Sequence, residues 1–311
     1  FFIFFIFLER QLYYLDYNVF NILKPYLIEA EKFESEKSTF DVILLSITSA
    51  TAFFYYTIIR EFKINLFAKL GLYLPIFTIF IFLLLRGSRN PLLIFILPII
   101  MRELYYRKIS LKYVLLALII LFPLTHFIAV VRAFGFEKIL MYSTFNANYN
   151  PLSSEFGAPY RVLKIFFNGE FENSLFLGRT YFIDPLINLF PIELFPNRPI
   201  TIATKFSIDY FANSEEMFGL GFSPILEIIL NFTFLGILPI FILIRYLLGI
   251  FDRVDLNSKF KYFAYFLLFP ILINFQRIDF AVCVKLYLIE IFWVFGLIYI
   301  SKIRFMRKNK L

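Results

Sequence analysis

The stretch FIFLLLRGSRNPLLIFILP, Phe80 to Pro98, sets two apolar runs on either side of the polar turn RGSRNP. Gly87, Ser88, Asn90 and Pro91 form turns and break helices, so Arg86 closes one helix and Arg89 opens the next. Arginine within hydrocarbon is costly, which places both guanidiniums at a membrane face. The stretch therefore reads as a hairpin of two membrane-spanning helices.

Working outward, 60% of the residues are hydrophobic, mean hydropathy is +0.75, and 46 Phe and 20 Tyr are present, far from the balance of a soluble domain. Apolar segments fall near residues 10–28, where the run is interrupted, and near 41–59, 66–85, 90–106, 112–132, 224–245, 261–276 and 280–300. They have the length of membrane helices and lack the alternation of barrel strands. The expected fold class is an all-α polytopic membrane protein. The opening FFIFFIFL is too short to cross a bilayer and reads as the end of a truncated span.

The net charge of +8 comes from Lys and Arg gathered at the ends of apolar runs, a topological signal rather than a nucleic-acid surface. The basic C-terminus SKIRFMRKNKL is expected in the cytoplasm. Counting back, the groups around Arg60, Lys63 and Lys69, around Arg102, Arg107, Lys108 and Lys112, and around Arg245, Arg253, Lys259 and Lys261 fall on the same side. The RGSRNP turn, the acidic loop EAEKFESEK, the segment Ala133 to Phe222 and the turn QRID then face outward. Three regions follow: N-terminal transmembrane helices over 1–132, an extracytoplasmic loop domain over 133–222, and C-terminal transmembrane helices with the basic tail over 223–311. The loop is rich in aromatic residues, which points to an ordered domain of short helices.

Four constellations carry polar chemistry. Arg86 and Arg89 lie at the outer face, where the positive-inside bias disfavours them. In GLGFSPILEIILNFTFLG, Ser223 caps a helix opened by Pro224, and Glu227 and Asn231 lie four apart on one face. Glu227 reads either as a chemical group or as the ion-pair partner of an arginine. NFQRIDF places Arg277 and Asp279 between the last two spans. The outer domain adds FLGRTYFIDPL, with Arg179 and Tyr181, and FPIELFPNRP, with Arg198 among Pro191, Pro196 and Pro199; Arg132 and Arg161 are weaker candidates.

The single histidine, His126, reads as a packing residue, and with the single cysteine, Cys283, it makes neither a zinc site nor an internal disulfide. No Walker loop, dinucleotide fingerprint or nucleophile-histidine arrangement is recognisable. No metal and no cofactor are expected.

The order of RGSR, GRT, FPNRP, GFSPILEIILNFTFLG and RID over residues 80–300 resembles the oligosaccharide repeat-unit polymerases, the Wzy-type polymerases of O-antigen and capsular polysaccharide. The resemblance implies a GT-C-like helical bundle with a large extracytoplasmic loop, in the bacterial cytoplasmic (inner) membrane. Its implied reaction transfers a growing glycan from undecaprenyl diphosphate to a second lipid-linked repeat unit at the outer face. Flippase and chain-length regulator proteins are implied as further partners. Arginine forks suit a departing diphosphate and a carboxylate suits deprotonation of a sugar hydroxyl. The expected assignment places Arg86, Arg89, Arg179 and Arg277 around diphosphate. Tyr181, Arg198 and Asn231 bind substrate, Glu227 is the base, and Asp279 orients Arg277. A flippase or exporter of lipid-linked glycan and an O-antigen ligase are the alternative readings.

Overall fold

The computed structural model describes residues 2–13, 17, 39–61, 65–85, 89–117, 119–120, 157–169, 175–190, 201–203, 205–206, 222–253, 256, 258–275 and 278–301. Among these residues the secondary structure is helical, with no strand. The named elements are α1 (Phe2–Tyr13), α2 (Thr39–Glu61), α3 (Leu66–Leu85), α4 (Arg89–Tyr105), α5 (Gly157–Phe167), α6 (Arg179–Phe182), α7 (Asp184–Asn188), α8 (Pro224–Phe232), α9 (Ile237–Asp252), α10 (Lys259–Asn274) and α11 (Phe280–Ser301).

Three described helices are long and apolar enough to cross a membrane, Ile43–Glu61, Leu66–Leu85 and Phe280–Ile300. The bent pair Pro224–Phe232 and Phe234–Tyr246 makes a fourth if it counts as one span. The chain is therefore an all-α, membrane-embedded protein. Helix α3 covers the predicted run 66–85, and α3 and α4 end and begin on either side of residues 86–88. Near the N-terminus, α1 runs from the apolar opening through Glu9 and Arg10 to Tyr13. Arg10 donates to Asp41 Oδ1 over 3.1 Å at the head of α2.

The chain divides into two compact units, the first comprising residues 1–145, 256–270 and 289–311, the second 146–255 and 271–288. In the first unit α2 packs against α1, α3 and α4. Its buried stripe of small residues, Ser46, Ser49, Ala50 and Ala52, permits close helix approach, and Ser49 Oγ donates to the Ile94 carbonyl of α4 over 2.8 Å. Thr48, Thr51 and Thr57 bond back to carbonyls one turn earlier, which satisfies hydroxyls that lipid could not. Phe53 is wholly buried and stacks on Tyr262, with Phe263 and Phe266 edge-on. Trp293 Nε1 donates to Thr51 Oγ1 over 2.8 Å. Along α3, Leu66, Phe67, Leu70, Leu74 and Phe77 are exposed, an apolar face suited to acyl chains.

In the second unit α8 is the central element. The expected continuous span 224–245 is broken at Thr233, where φ is 60° and the axis turns by 116°. Nine residues of helix cover only about 13 Å, less than half a bilayer core. Backbone freed at such a break must be satisfied within protein, and the Thr233 amide bonds to the Ile229 carbonyl over 2.8 Å. Gly236 closes the bend, because a Cβ there would stand 2.2 Å from Phe232 Cβ. Neither atom is the end of a flexible side chain, so Gly236→Ala is expected to destabilise the protein by roughly 1–3 kcal/mol. A lowered melting temperature in detergent is the measurement, and an unchanged one would show that the bend opens freely.

Candidate functional site

One side of α8 is apolar. Leu226 and Leu230 join Val162 of α5, Ile202, Phe206 and Phe222 in a buried cluster. Ser223 takes the N-cap, its hydroxyl facing the Leu226 amide at 3.5 Å, and Pro224 occupies the first turn, where its missing N–H costs nothing. With the apolar side fixed in this way, Glu227 and Asn231 are buried on α8 as well, the first 0% and the second 2% exposed.

Short helix α6 meets them. Its N-cap, Gly178, has φ 83°, a left-handed conformation that glycine adopts without strain, and the Phe182 and Phe232 rings lie 3.1 Å from where a Cβ would stand. The preceding Phe176 amide donates to the Leu230 carbonyl over 2.8 Å. Thr180 then interlocks with both polar residues of α8. Its hydroxyl donates to Glu227 Oε1 over 2.7 Å and accepts from Asn231 Nδ2 over 2.8 Å, while its amide donates to Asn231 Oδ1 over 3.3 Å. Asn231 Nδ2 also reaches the Glu227 carbonyl over 2.7 Å. The second carboxyl oxygen of Glu227 accepts from the Phe280 amide at the head of α11 over 2.9 Å. Glu227 thus ties three elements together. Its partners among the described residues are a hydroxyl and an amide, not the arginine that sequence reasoning offered as an alternative.

The residues flanking Thr180 are placed as a consequence. Arg179 donates from Nε to Asp184 Oδ1 over 3.0 Å, and its side chain keeps 39% of its surface exposed, whereas that of Asp184 keeps 4%. Burial raises the pKa of Asp184, against the opposing hydrogen bond and charge of Arg179. Tyr181, expected to bind substrate, has its ring stacked on Phe280 at 4.8 Å and lying against Phe232 at 5.5 Å, so protein covers part of it. Burial, with the nearby Glu227 carboxyl, pushes its phenol upward in pKa.

Asp279 is 1% exposed and caps α11, Oδ1 accepting from the Val282 amide over 2.9 Å. Burial raises its pKa, the Val282 amide, the Thr201 hydroxyl and the Ala203 amide oppose the rise, and the Asp184 carboxylate adds to it. Whether Asp279 also orients Arg277 falls outside the described residues. Arg277, Arg86 and Arg198 lie outside the described residues, and of Arg89 only the backbone, in the first turn of α4, is described. The structure accordingly brings together Glu227, Asn231, Arg179 and Tyr181 around Thr180, with Asp279 one residue from the amide that Glu227 accepts.

Thr180 and Asp184 were not singled out from sequence. The signal for Asp184 was the Asp-Pro pair that opens α7; that for Thr180 was only its position beside Arg179. Glu290, wholly buried within α11, was also missed, although a carboxyl ten residues into an apolar span is itself conspicuous. The chain matches no family model, no curated protein and no solved structure.

Proposed function

We propose that the protein is a GT-C-like membrane glycosyltransferase. It would polymerise undecaprenyl-diphosphate-linked repeat units into a surface polysaccharide, O-antigen or capsule, at the outer face of the bacterial cytoplasmic membrane. The observation that carries this reading is the Glu227–Thr180 bond. A wholly buried carboxyl on a broken membrane helix accepts a hydrogen bond from Thr180, the chain neighbour of a half-exposed arginine. A carboxyl on α8 and a guanidinium on α6, the short helix bonded to it, suit a displacement in which a diphosphate leaves. The bond from the donor sugar's anomeric carbon to diphosphate oxygen breaks, and a bond to the acceptor hydroxyl oxygen forms. The hydroxyl proton passes to a carboxylate, and the diphosphate charge is met by guanidinium groups. In this reading Arg179 and Arg277 serve the diphosphate, with Arg198 and Asn231 at the sugar side. Glu227 serves as the base once substrate displaces one of its present donors.

The broken helix α8–α9 also favours a second reading, since discontinuous helices are a device of transporters, here an exporter of lipid-linked glycan. Deletion of the gene separates the two. Loss of long glycan with the single-repeat product retained is the expected result. Loss of both, with lipid-linked repeat units held at the cytoplasmic face, would overturn the polymerase reading in favour of export.

A further inference from the structure

The first unit holds a cavity of about 340 Å³ at the end where α2 and α4 finish and α3 begins, lined by Tyr56, Arg60, Tyr73, Glu103, Lys108 and Ile109. By the charge topology read from sequence this end faces the cytoplasm. We propose that the cavity binds the phosphate of an anionic membrane lipid headgroup.

Charge is the first reason. Arg60 and Lys108 bring two cations to the lining, and the one carboxylate there, Glu103, is already engaged. Arg102 Nη1 donates to Glu103 Oε1, and the Tyr56 hydroxyl donates to the same carboxylate. Arg60 Nη2 stays 3.7 Å from Glu103 Oε2, beyond a normal hydrogen bond, and 42% of the Arg60 side chain is exposed. Its planar fork therefore remains presentable to phosphate oxygens.

Shape is the second reason. Tyr56 and Tyr73 form one wall, their rings 5.6 Å apart and tilted by 36°. The volume lies at the lower end for small-molecule sites, which suits a headgroup.

The surroundings point to a lipid source. Tyr73 stands on the same α3 stripe as Leu66, Leu70 and Phe77, which are exposed at spacings of three and four residues. Acyl chains can follow that stripe while the phosphate sits at Arg60 and Lys108. The turn after α4 adds exposed Tyr106 and Arg107, the aromatic and basic mixture of a membrane interface.

The test uses the whole purified protein in detergent, offered equimolar phosphatidylglycerol and phosphatidylcholine, with retained lipid read by native mass spectrometry. Selective retention of phosphatidylglycerol is expected. The double variant Arg60→Gln/Lys108→Gln should retain it roughly thirty-fold less, from the loss of two interfacial charges. Lys112→Gln removes a charge outside the cavity and should change retention little. Should the double variant lose its melting transition, Lys108→Gln alone, at an exposed lysine, is expected to give about a five-fold loss. Equal retention of the two lipids, or equal losses in Lys108→Gln and Lys112→Gln, would overturn the site in favour of diffuse surface charge. Displacement of the lipid by millimolar inorganic phosphate would overturn the lipid assignment and give the same cations a soluble phosphate ligand.

Discussion

Glu227→Gln is expected to leave the protein folded while lowering repeat-unit polymerisation by roughly 10² to 10⁴-fold, the range for losing a general base. The amide keeps the shape of the side chain and one of its two hydrogen bonds. Its oxygen can keep accepting from the Phe280 amide, while its nitrogen can donate to the Thr180 hydroxyl, which reverses that bond. What it cannot do is take a proton from a sugar hydroxyl. Glu227→Ala is the contrasting variant, because it leaves the Thr180 hydroxyl and the Phe280 amide without their acceptor, at about 1–3 kcal/mol for each group. Polymerisation from lipid-linked repeat units and the melting temperature, measured on the same purified variants, distinguish chemistry from scaffolding. A Glu227→Gln protein with near-normal polymerisation would make Glu227 a structural peg for α6 and α11, and Asp279 the next carboxyl to replace.

Glu103→Ala should be the most destabilising single change in the first unit, by about 3–5 kcal/mol. Arg102 and Glu103 are 7% and 4% exposed, and Arg102 is held by Glu103, by the Tyr262 hydroxyl and by the rings of Tyr56 and Tyr106 at 5.7 and 5.2 Å. Removing the carboxylate strands a guanidinium that cannot swing into water without abandoning those contacts. Arg60 adds little to the loss, since its own exposed charge can be solvated. The discriminating measurement is a double-mutant cycle with Arg102→Met, in which the double variant should melt above Glu103→Ala because no unpaired buried charge remains. Glu103→Ala melting like the parent protein would show that the pair contributes nothing to the fold.

Much of the helical frame was legible without coordinates. The run 66–85 and the limits of α4 and α11 follow from local sums of hydropathy and from turn residues between them. The cap at Ser223 and the shared face of Glu227 and Asn231 were legible for the same reason, being consequences of helical spacing. The break at Thr233 was not. LNFTFLG contains no proline, so the signal lies in a backbone conformation held by the Thr233 hydroxyl on the Leu235 amide and by the close approach of Gly236 to Phe232. The packing of Tyr181 was not legible either, since the Phe280 ring stacked on it lies far along the chain.

By itself the sequence determined that this protein is an assembly of apolar helices for a bilayer, because span length and hydropathy belong to each segment alone. It also marked Arg179, Glu227 and Asp279 as polar groups in costly places. Only the tertiary structure decided what holds them. The hydroxyl facing Glu227 lies 47 positions away and the amide 53, while Arg102 finds Tyr262 across 160. Partners at such separations leave no periodic trace, since one hydrogen bond constrains one atom on each side. They are selected when whole helices pack, and the apolar faces that drive the packing are indifferent to which threonine or tyrosine arrives beside a buried charge.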